Sequence, residues 1–287
     1  MESYVPKKSL GQNFLINSGV LHKILSSAEI SKDDVILEVG PGKGTLTEEL
    51  AKKAGRVIVV EKDRRLIDFL KEKFIDYKNV EIIEGDVLML DISNFNFHIS
   101  SYKVVANIPY YITSHFLRMM LEDWPRLSLA VLMVQKEVAQ RMMAKPPEMN
   151  PVRSKTPGAS AGHARRAGRT SSGMNLLALS VQYYADVEKV MDVSRGSFRP
   201  MPKVESAVIR LNPKSEARNP KEAEMLFGIA KKCFAGKRKQ LITTLPAAIE
   251  KSGEETRALL IKLNVDPMAR PETLRLEDWL NLLKELQ

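Results

Sequence analysis

The chain has 287 residues but contains only one cysteine, Cys233, and only four histidines. One cysteine cannot form an internal disulfide, so a reducing cytoplasm is the expected setting. The histidines form no ligand-like cluster with Cys233, so we expect no metal. The longest apolar stretch, 127–134, is much shorter than the roughly 20 residues of a membrane span, and residues 1–10 lack the apolar core of a signal peptide. The sequence therefore predicts a cytoplasmic protein without a membrane anchor.

Acidic residues are fewer than basic ones, 35 against 44, and the formal net charge is +9. An excess of this sign favours a polyanionic partner such as a nucleic acid. Five of the basic residues, however, lie between residues 150 and 175, where no acidic residue occurs, and without them the charge is +4. An ordinary soluble, basic surface therefore stays open as an alternative.

Short apolar runs alternate with amphipathic stretches between residues 31 and 135. The runs lie at 35–37, 57–60, 80–83, 103–106 and 129–134, with helix-like segments such as 45–54 and 64–75 between them. Such alternation predicts a parallel sheet covered by helices on both faces. A helix at 18–28, with Ser18 as its N-cap, is predicted to precede the sheet.

Residues 150–175 interrupt this pattern. They are rich in Gly, Ala, Ser, Pro and Arg and have almost no large apolar side chains, which predicts an inserted, mobile, basic loop at about 148–175. After this loop, 177–184 is predicted to form a strand, and 187–193 and 204–211 an antiparallel pair that closes the sheet.

The character of the chain changes after Asn212-Pro213. Segments 220–234, 237–250, 254–263 and 273–286 have helical periodicity, with no strand-like run between them. We therefore predict two domains, 1–212 with the sheet and 213–287 as a small helical domain. The second contains a basic cluster formed by Lys231, Lys232, Lys237, Arg238 and Lys239. This cluster favours contact with RNA phosphates, and a solvated helix face is the alternative.

A polar turn, Asn107-Ile-Pro-Tyr110, directly follows the apolar run at 104–106. Pro109 favours an extended residue before it, so the Ile108 carbonyl is held in a defined direction. The Asn107 side-chain oxygen is a second acceptor, and the Tyr110 ring offers a stacking face. Two acceptors beside an aromatic ring suit the exocyclic amino group of a nucleobase, although most turns of this type are only turns.

Polar residues also follow the earlier strands, at the edge where a parallel sheet binds its ligands. The first strand leads into Gly40-Pro-Gly42-Lys-Gly44, the second ends at Glu61 and the third at Asp86. Glycines let a ligand approach the backbone closely. The Glu61 carboxylate can accept hydrogen bonds from both hydroxyls of a ribose, and the Asp86 carboxylate can accept one from the amino group of an adenine. The dinucleotide fingerprint is absent, because it needs glycine where this chain has Thr45. For each feature alone the alternative is a purely structural turn or a solvated charge at a strand end, and the series of features favours a ligand site.

Together, these motifs resemble those of S-adenosylmethionine-dependent methyltransferases that modify adenine N6. Two further segments, Lys8–Leu15 and Ser197–Ser206, resemble the N-terminal and late motifs of the ribosomal RNA adenine dimethyltransferases, the KsgA and Erm group. The resemblance covers nearly the whole chain and departs at 150–175, where the family usually has a short loop. It implies a Rossmann-like class I methyltransferase sheet in an α/β fold, mostly parallel with an antiparallel last strand, and a small all-helical C-terminal domain.

The resemblance also implies roles for individual residues. Gly40 would approach the methionine part of S-adenosylmethionine, Glu61 its ribose and Asp86 its adenine. The full set of implied cofactor contacts is Asn13, Leu15, Gly40, Gly42, Glu61, Asp86 and Asn107. The residues implied to act on the target base are Asn107, Ile108, Pro109, Tyr110 and Phe198, with the rings of Tyr110 and Phe198 on either side of the base.

The leading hypothesis is a KsgA-type enzyme that dimethylates two adjacent adenines in the 3′-terminal hairpin of small-subunit ribosomal RNA. Its partner would be the RNA of the immature small subunit, and the enzyme would act as a monomer. An Erm-type enzyme that modifies large-subunit RNA is the nearest alternative. A non-catalytic ribosome-assembly factor and a small-molecule methyltransferase are two further ones.

Overall fold

The computed structural model describes residues 11–91, 101–124, 127–146, 173–214, 219–236 and 238–286. The predicted loop at about 148–175 lies outside this description except for 173–175, and so does Lys237. The chain divides into a sheet unit, Met1–Met142 with Val181–Ala217, and a helical unit, Met143–Ser180 with Arg218–Gln287. Residues 143–146 and 173–180 thus group with the C-terminal helices, although they precede the predicted domain boundary at 212.

The strands of the sheet unit are numbered in chain order. They are β1 (Phe14–Leu15), β2 (Val35–Val39), β3 (Arg56–Glu61), β4 (Val80–Glu84), β5 (Tyr102–Asn107), β6 (Leu127–Gln135), β7 (Ala185–Val193), β8 (Phe198–Arg199) and β9 (Ser206–Pro213). Seven of these described strands form one sheet in the order β4-β3-β2-β5-β6-β9-β7, and β1 pairs with β8 separately. Strands β2 to β6 run parallel to one another, whereas β9 is antiparallel to both β6 and β7. The predicted sheet, including the antiparallel pair at its end, is confirmed.

Helices occupy the connections between these strands and the C-terminal part of the chain. They are α1 (Ser18–Ser27), α2 (Thr45–Lys53), α3 (Arg64–Lys73), α4 (Thr113–Glu122), α5 (Lys136–Met142), α6 (Leu176–Tyr184), α7 (Pro220–Ala235), α8 (Leu241–Ile249), α9 (Gly253–Lys262) and α10 (Leu276–Lys284). The helical character of the region after residue 219 agrees with the prediction.

The central strands are apolar on both faces because helices cover both faces. All five residues of β2 are buried, and so are Val57–Val60 of β3, as is typical of a parallel sheet. Ile24 of α1 and Leu50 of α2 join these strands in one hydrophobic cluster. This packing fixes the positions at which β2, β3 and β5 end.

Two local predictions are wrong. The N-cap of α1 is Asn17, not Ser18: the Asn17 Oδ1 accepts hydrogen bonds from the Gly19 and Val20 amides at 2.9 and 3.2 Å. The segment 177–184 belongs to helix α6, not to a strand, and the Asn175 Oδ1 accepts from the Ala178 amide at its start. A short apolar run does not by itself distinguish a buried strand from a buried helix.

The helical unit has its own apolar core. Trp279 of α10 is completely buried and its ring stacks on Phe234 of α7, with ring centroids 5.9 Å apart. Cys233, the residue before Phe234, is also buried, and burial raises the pKa of its thiol. No helix within the described ranges is long and apolar enough to cross a bilayer.

Candidate active site

A cleft lies at the carboxyl ends of β2, β3 and β5, where the strand order of the sheet reverses. Ligands of open α/β sheets bind at this position. The cleft is lined by ten of the predicted site residues: Asn13, Leu15, Gly40, Gly42, Glu61, Asp86, Asn107, Ile108, Pro109 and Tyr110. The residues that the sequence analysis grouped by their position at strand ends are therefore neighbours in space.

The glycine-rich loop joins β2 to α2 and forms the floor of the cleft. Gly42 has a positive φ of 59°, and a Cβ atom built on it would lie 2.7 Å from Cδ1 of Phe14. A side chain at this position would collide with the N-terminal arm, residues 11–16. The Gly40 amide donates to the Val60 carbonyl at 2.9 Å, which ties the loop to β3.

Glu61 ends β3 and is largely buried, with 6% of its surface exposed. Its Oε1 accepts a hydrogen bond from the Asp63 amide at 2.7 Å. Burial raises the pKa of Glu61 and outweighs the lowering by backbone hydrogen bonds from Asp63, Gly42 and Lys62. The carboxylate is thus held in a fixed place beside the glycine loop, where it can accept the hydroxyls of a ligand.

Asp86 follows β4 and has both carboxylate oxygens engaged. Its Oδ1 accepts from the Leu88 amide at 3.1 Å, and its Oδ2 accepts from the Lys62 ammonium at 2.7 Å. Burial raises the pKa of Asp86, but the hydrogen bonds from Lys62 and Leu88 outweigh this effect and the pKa is lowered. The group is an anionic acceptor of defined orientation.

Asn107, the last residue of β5, is oriented by the arm. Its Nδ2 donates to the Asn13 carbonyl at 3.2 Å, so the side-chain oxygen is the atom that remains to accept. The next residue, Ile108, donates its amide to the Met133 carbonyl of β6 at 3.2 Å, and its side chain is buried. Both anchors fix the turn relative to the sheet.

Tyr110 begins the single helical turn at Tyr110–Ile112 that follows Pro109. Its hydroxyl lies 2.6 Å from the Ser206 Oγ, at the start of β9. Burial raises the pKa of Tyr110 against the opposing effect of this hydrogen bond, so the phenol is neutral at physiological pH. Tyr110 is one of the residues that line the cleft.

Phe198 lies elsewhere. It is completely buried, does not line the cleft, and faces Leu15 across the β1–β8 pair. The alternation of side chains along a strand turns Phe198 inward and the exposed Arg199 outward. A ring in this position offers no face to a base, so the predicted stacking role would require β8 to move.

The N-terminal arm closes one side of the cleft. The Gln12 Nε2 donates to the Asp63 Oδ2 at 2.9 Å, and the Ile16 amide donates to the Ser197 carbonyl at 2.9 Å. The Lys43 ammonium lies 5.6 Å from the centre of the Phe14 ring, within range of a cation–π contact. The arm is therefore joined to the glycine loop, to α3 and to the late motif.

Comparison with known proteins identifies the family. Residues 5–153 and 162–287 match the family model described as ribosomal RNA adenine dimethylase. The chain belongs to this family. It is similar to ribosomal RNA small subunit methyltransferase A of Dehalococcoides mccartyi strain ATCC BAA-2266, with 39% identity over 97% of this chain and 88% of the relative. The protein of the same name from Alkaliphilus metalliredigens is 38% identical over 97% and 91% of the two chains.

Two solved structures have the fold of this dimethylase chain. A dimethyladenosine transferase from Plasmodium falciparum superimposes with a TM-score of 0.72 and 29% identity, over 95% of this chain and 96% of the other. The 23S rRNA methyltransferase ErmE superimposes with a TM-score of 0.71 and 27% identity, over 96% and 99%. The Rossmann-like methyltransferase fold with a helical C-terminal part is thus confirmed.

Sequence reasoning missed several residues of the dimethylase cleft. Glu38 of β2 lines the cleft and is almost completely buried, and burial, reinforced by the charge of Glu61, raises its pKa to about 8. Gln12 and Lys62 line the cleft and bond to Asp63 and Asp86. Glu38 could have been found as the single acid within an apolar strand. The other two are polar residues in polar surroundings and gave no signal.

The predicted basic cluster lies at the end of α7 and just after it, in the helical unit of the dimethylase chain. Lys231, Lys232, Arg238 and Lys239 are all exposed, and none of these four forms an ion pair with another described residue. Within the described ranges there is also no group of three or more His, Cys, Asp or Glu side chains that could hold a metal ion.

Proposed function

We propose that this chain transfers methyl groups from S-adenosylmethionine to N6 of two adjacent adenines in the 3′-terminal hairpin of small-subunit ribosomal RNA. The observation that carries the proposal is the Asn107–Tyr110 turn at the end of β5, in one cleft with Glu61 and Asp86. This arrangement combines sites for a nucleoside-containing cofactor with acceptors for an amino group. The small-subunit names of the curated relatives support the choice of RNA.

The residues of the cleft fit the cofactor. Glu61 would accept hydrogen bonds from the ribose hydroxyls and Asp86 one from the adenine amino group, and Gly40 and Gly42 of the glycine loop would lie beside the methionine part. Asn13 and Leu15 line the cleft from the arm and would contact the cofactor there. S-Adenosylmethionine, when bound, supplies a methyl group attached to a cationic sulfur.

The turn after β5 activates the amino group of the target. An adenine N6 is a poor nucleophile because its lone pair is delocalised into the ring. Asn107 Oδ1 and the Ile108 carbonyl each accept a hydrogen bond from the amino group. These two bonds favour a pyramidal nitrogen and stabilise the positive charge that develops on it. By holding the nitrogen in a fixed position, the turn would also supply the proximity and orientation that contribute much of the remaining acceleration. The proton can leave to water after the transfer, so the reaction needs no strong general base.

The target base must be unstacked from its neighbours before it reaches the cleft. The ring of Tyr110 offsets part of this cost, since stacking on an aromatic side chain contributes about 1–3 kcal/mol. Phe198 is the second implied stacking ring, and this role requires its release from the core, where it is completely buried.

The exposed basic residues at the end of α7 serve as contacts for RNA phosphates. Lys231, Lys232, Arg238 and Lys239 carry four positive charges without an ion-pair partner among the described residues. Phosphate contacts of this kind make affinity fall as the salt concentration rises. We assign Lys237 to the same contact surface from the sequence alone.

Transfer of labelled methyl groups from S-adenosylmethionine tests the proposal. We expect undermethylated small subunits to accept about four methyl groups each, two on each adenine, and mass mapping to place them in the 3′-terminal hairpin. Large subunits serve as the matched alternative substrate, because the similarity to ErmE allows an enzyme that acts on their RNA. Label in large-subunit RNA alone would replace the proposal by that alternative, and no label in either would exclude both.

A further inference from the structure

Ser206 belongs to the late motif, Ser197–Ser206, but lines no part of the cleft. It is the first residue of β9, pairs with Gln135 of β6 and Val193 of β7, and is completely buried. A hydroxyl inside a sheet is destabilising unless it has a hydrogen-bond partner. The partner here is the Tyr110 hydroxyl at 2.6 Å, which is 96 residues away along the chain.

This contact fixes the far end of the Tyr110 ring. The near end is fixed by the backbone, because Tyr110 follows Pro109, and the Ile108 amide bonds to β6. A ring attached only at its Cβ can rotate about two side-chain bonds. The phenol oxygen lies on the axis of the second bond, so a hydrogen bond there restricts rotation about the first bond and fixes the position and axis of the ring.

We propose that Ser206 is a positioning residue for the reaction, and that it acts by holding the Tyr110 ring in the position where the extruded adenine stacks on it. This inference rests on the proposed function. Preorganisation matters here because the entropy of fixing a free ring would otherwise be lost each time a base enters. The pKa of the phenol is raised by burial, so the hydroxyl stays protonated and remains able to bond to Ser206.

The late motif contains a second buried serine hydroxyl with a different hydrogen-bond partner. Ser197 is also buried, and its hydroxyl accepts a hydrogen bond from the Asn17 Nδ2 at 3.3 Å. It therefore serves the start of α1 and has no bond to Tyr110. Ser197 and Ser206 form a matched pair of buried hydroxyls in one motif, and of the two only Ser206 bonds to a side chain of a cleft residue.

The test compares Ser206→Ala, Tyr110→Phe and the double variant in the full chain, with Ser197→Ala as the control. RNA methylation is measured under single turnover. Stacking is measured by the fluorescence of 2-aminopurine placed at the target adenine, which an aromatic neighbour quenches. We expect Ser206→Ala to lower the methylation rate about tenfold and to weaken the quenching, since the ring still stacks but is no longer held. Ser197→Ala should change neither.

Two further results decide the inference. Because Ser206 acts through the Tyr110 hydroxyl, the double variant should be no slower than the slower single variant. Affinity for S-adenosylhomocysteine should be unchanged in Ser206→Ala. A full rate, unchanged quenching or additive losses would overturn the inference, whereas a wild-type chain that methylates no ribosomal RNA would instead overturn the proposed function.

Discussion

At the scale of single residues, Asn107 has two ends with different tasks. Its nitrogen donates to the Asn13 carbonyl at 3.2 Å and so connects β5 to the arm. Its oxygen is the proposed acceptor for the target amino group. Asn107→Ala should lower kcat by about 10²-fold or more, because it removes a group that stabilises charge in the transition state. Affinity for S-adenosylhomocysteine, measured by calorimetry, should fall much less.

The control for this variant is Asn281→Ala, which removes an exposed asparagine side chain from α10 in the helical unit. It should leave both kcat and cofactor affinity unchanged. If Asn107→Ala methylates RNA at the wild-type rate, Asn107 does not hold the amino group of the target.

Lys62 allows a test of the adenine site through its ion pair with Asp86. The ammonium orients the carboxylate and helps to keep its pKa low. Lys62→Met should therefore raise the Kd for S-adenosylhomocysteine about threefold, a change typical of an exposed ion pair. An analogue whose purine lacks the 6-amino group should bind both proteins equally, because it makes no bond to Asp86.

Lys52→Met is the matched control. Lys52 is 50% exposed and pairs with Glu49 on α2 at 2.6 Å, while Lys62 is 51% exposed. The Kd of this control for S-adenosylhomocysteine should equal that of the wild type. Tighter binding by Lys62→Met would mean that the lysine competes with the ligand for Asp86, and the assigned role would be wrong.

At the scale of elements, Gly44 determines how the glycine loop enters α2. It is the N-cap of α2 with a φ of 71°, and a Cβ atom built on it would lie 2.6 Å from Cε2 of Phe74. Gly44→Ala should lower the free energy of unfolding by about 2–4 kcal/mol, because it adds a left-handed alanine and a collision with a buried ring. Urea unfolding followed by circular dichroism measures this.

Gly228→Ala supplies the comparison. Gly228 lies within α7, and a Cβ atom built on it would meet nothing within 4 Å. The same substitution should here raise the stability of the helical unit by about 0.5–1 kcal/mol, since alanine favours a helix interior. Equal effects of the two variants would show that the loop conformation is not what Gly44 provides.

The end of α7 should control the salt dependence of RNA binding. In Lys231→Glu/Lys232→Glu, affinity for small-subunit RNA should fall, and the slope of log K against log salt should become shallower by about 1 for each phosphate that the protein no longer neutralises. Lys53→Glu/Lys71→Glu makes the same charge change on exposed residues of α2 and α3. If both pairs change the slope equally, net charge and not the end of α7 determines binding.

For the molecule as a whole, the sequence predicted the structure best where an apolar run marks a strand and a polar residue follows directly at the end of that strand. Apolar runs predicted the strands of the sheet, and the parallel sheet then brought Glu61, Asp86 and Asn107 into one cleft. These inferences succeed because the chain direction alone decides which strand ends meet. They need no knowledge of side-chain contacts.

Predictions from the sequence were incomplete where the outcome depends on contacts between distant segments. The bond between Tyr110 and Ser206 joins a turn to a strand 96 residues away, and no local pattern indicates it. Phe198 stands in a motif with a loop-like composition, yet its pairing with Leu15 buries it. The apolar run of α6 has the same composition as a buried strand, and only its surroundings make it a helix.

Glu38 links the stability of the sheet unit to pH. Burial raises its pKa to about 8 from a usual value of 4.5. Between these values the folded state keeps the proton that the unfolded state has lost. The contribution of Glu38 to stability is therefore greatest at low pH, decreases as pH rises through this window, and is constant above about pH 8. The carboxyls of Asp34 and Asp86, whose pKa values are lowered, act in the opposite direction.

Glu38→Gln isolates this contribution, because the other carboxyls are common to both proteins. The variant cannot ionise at this position, so its stability relative to the wild type should increase by up to about 1.4 kcal/mol per pH unit between about pH 5 and pH 8. Each unit of the chain holds one tryptophan, Trp124 and Trp279. Urea unfolding in a Trp279→Phe background therefore reports on the sheet unit through Trp124. If the difference in unfolding free energy between Glu38→Gln and the wild type stays constant over this range, Glu38 is ionised in the folded protein. Its surroundings in β2 would then be polar enough to stabilise the charge.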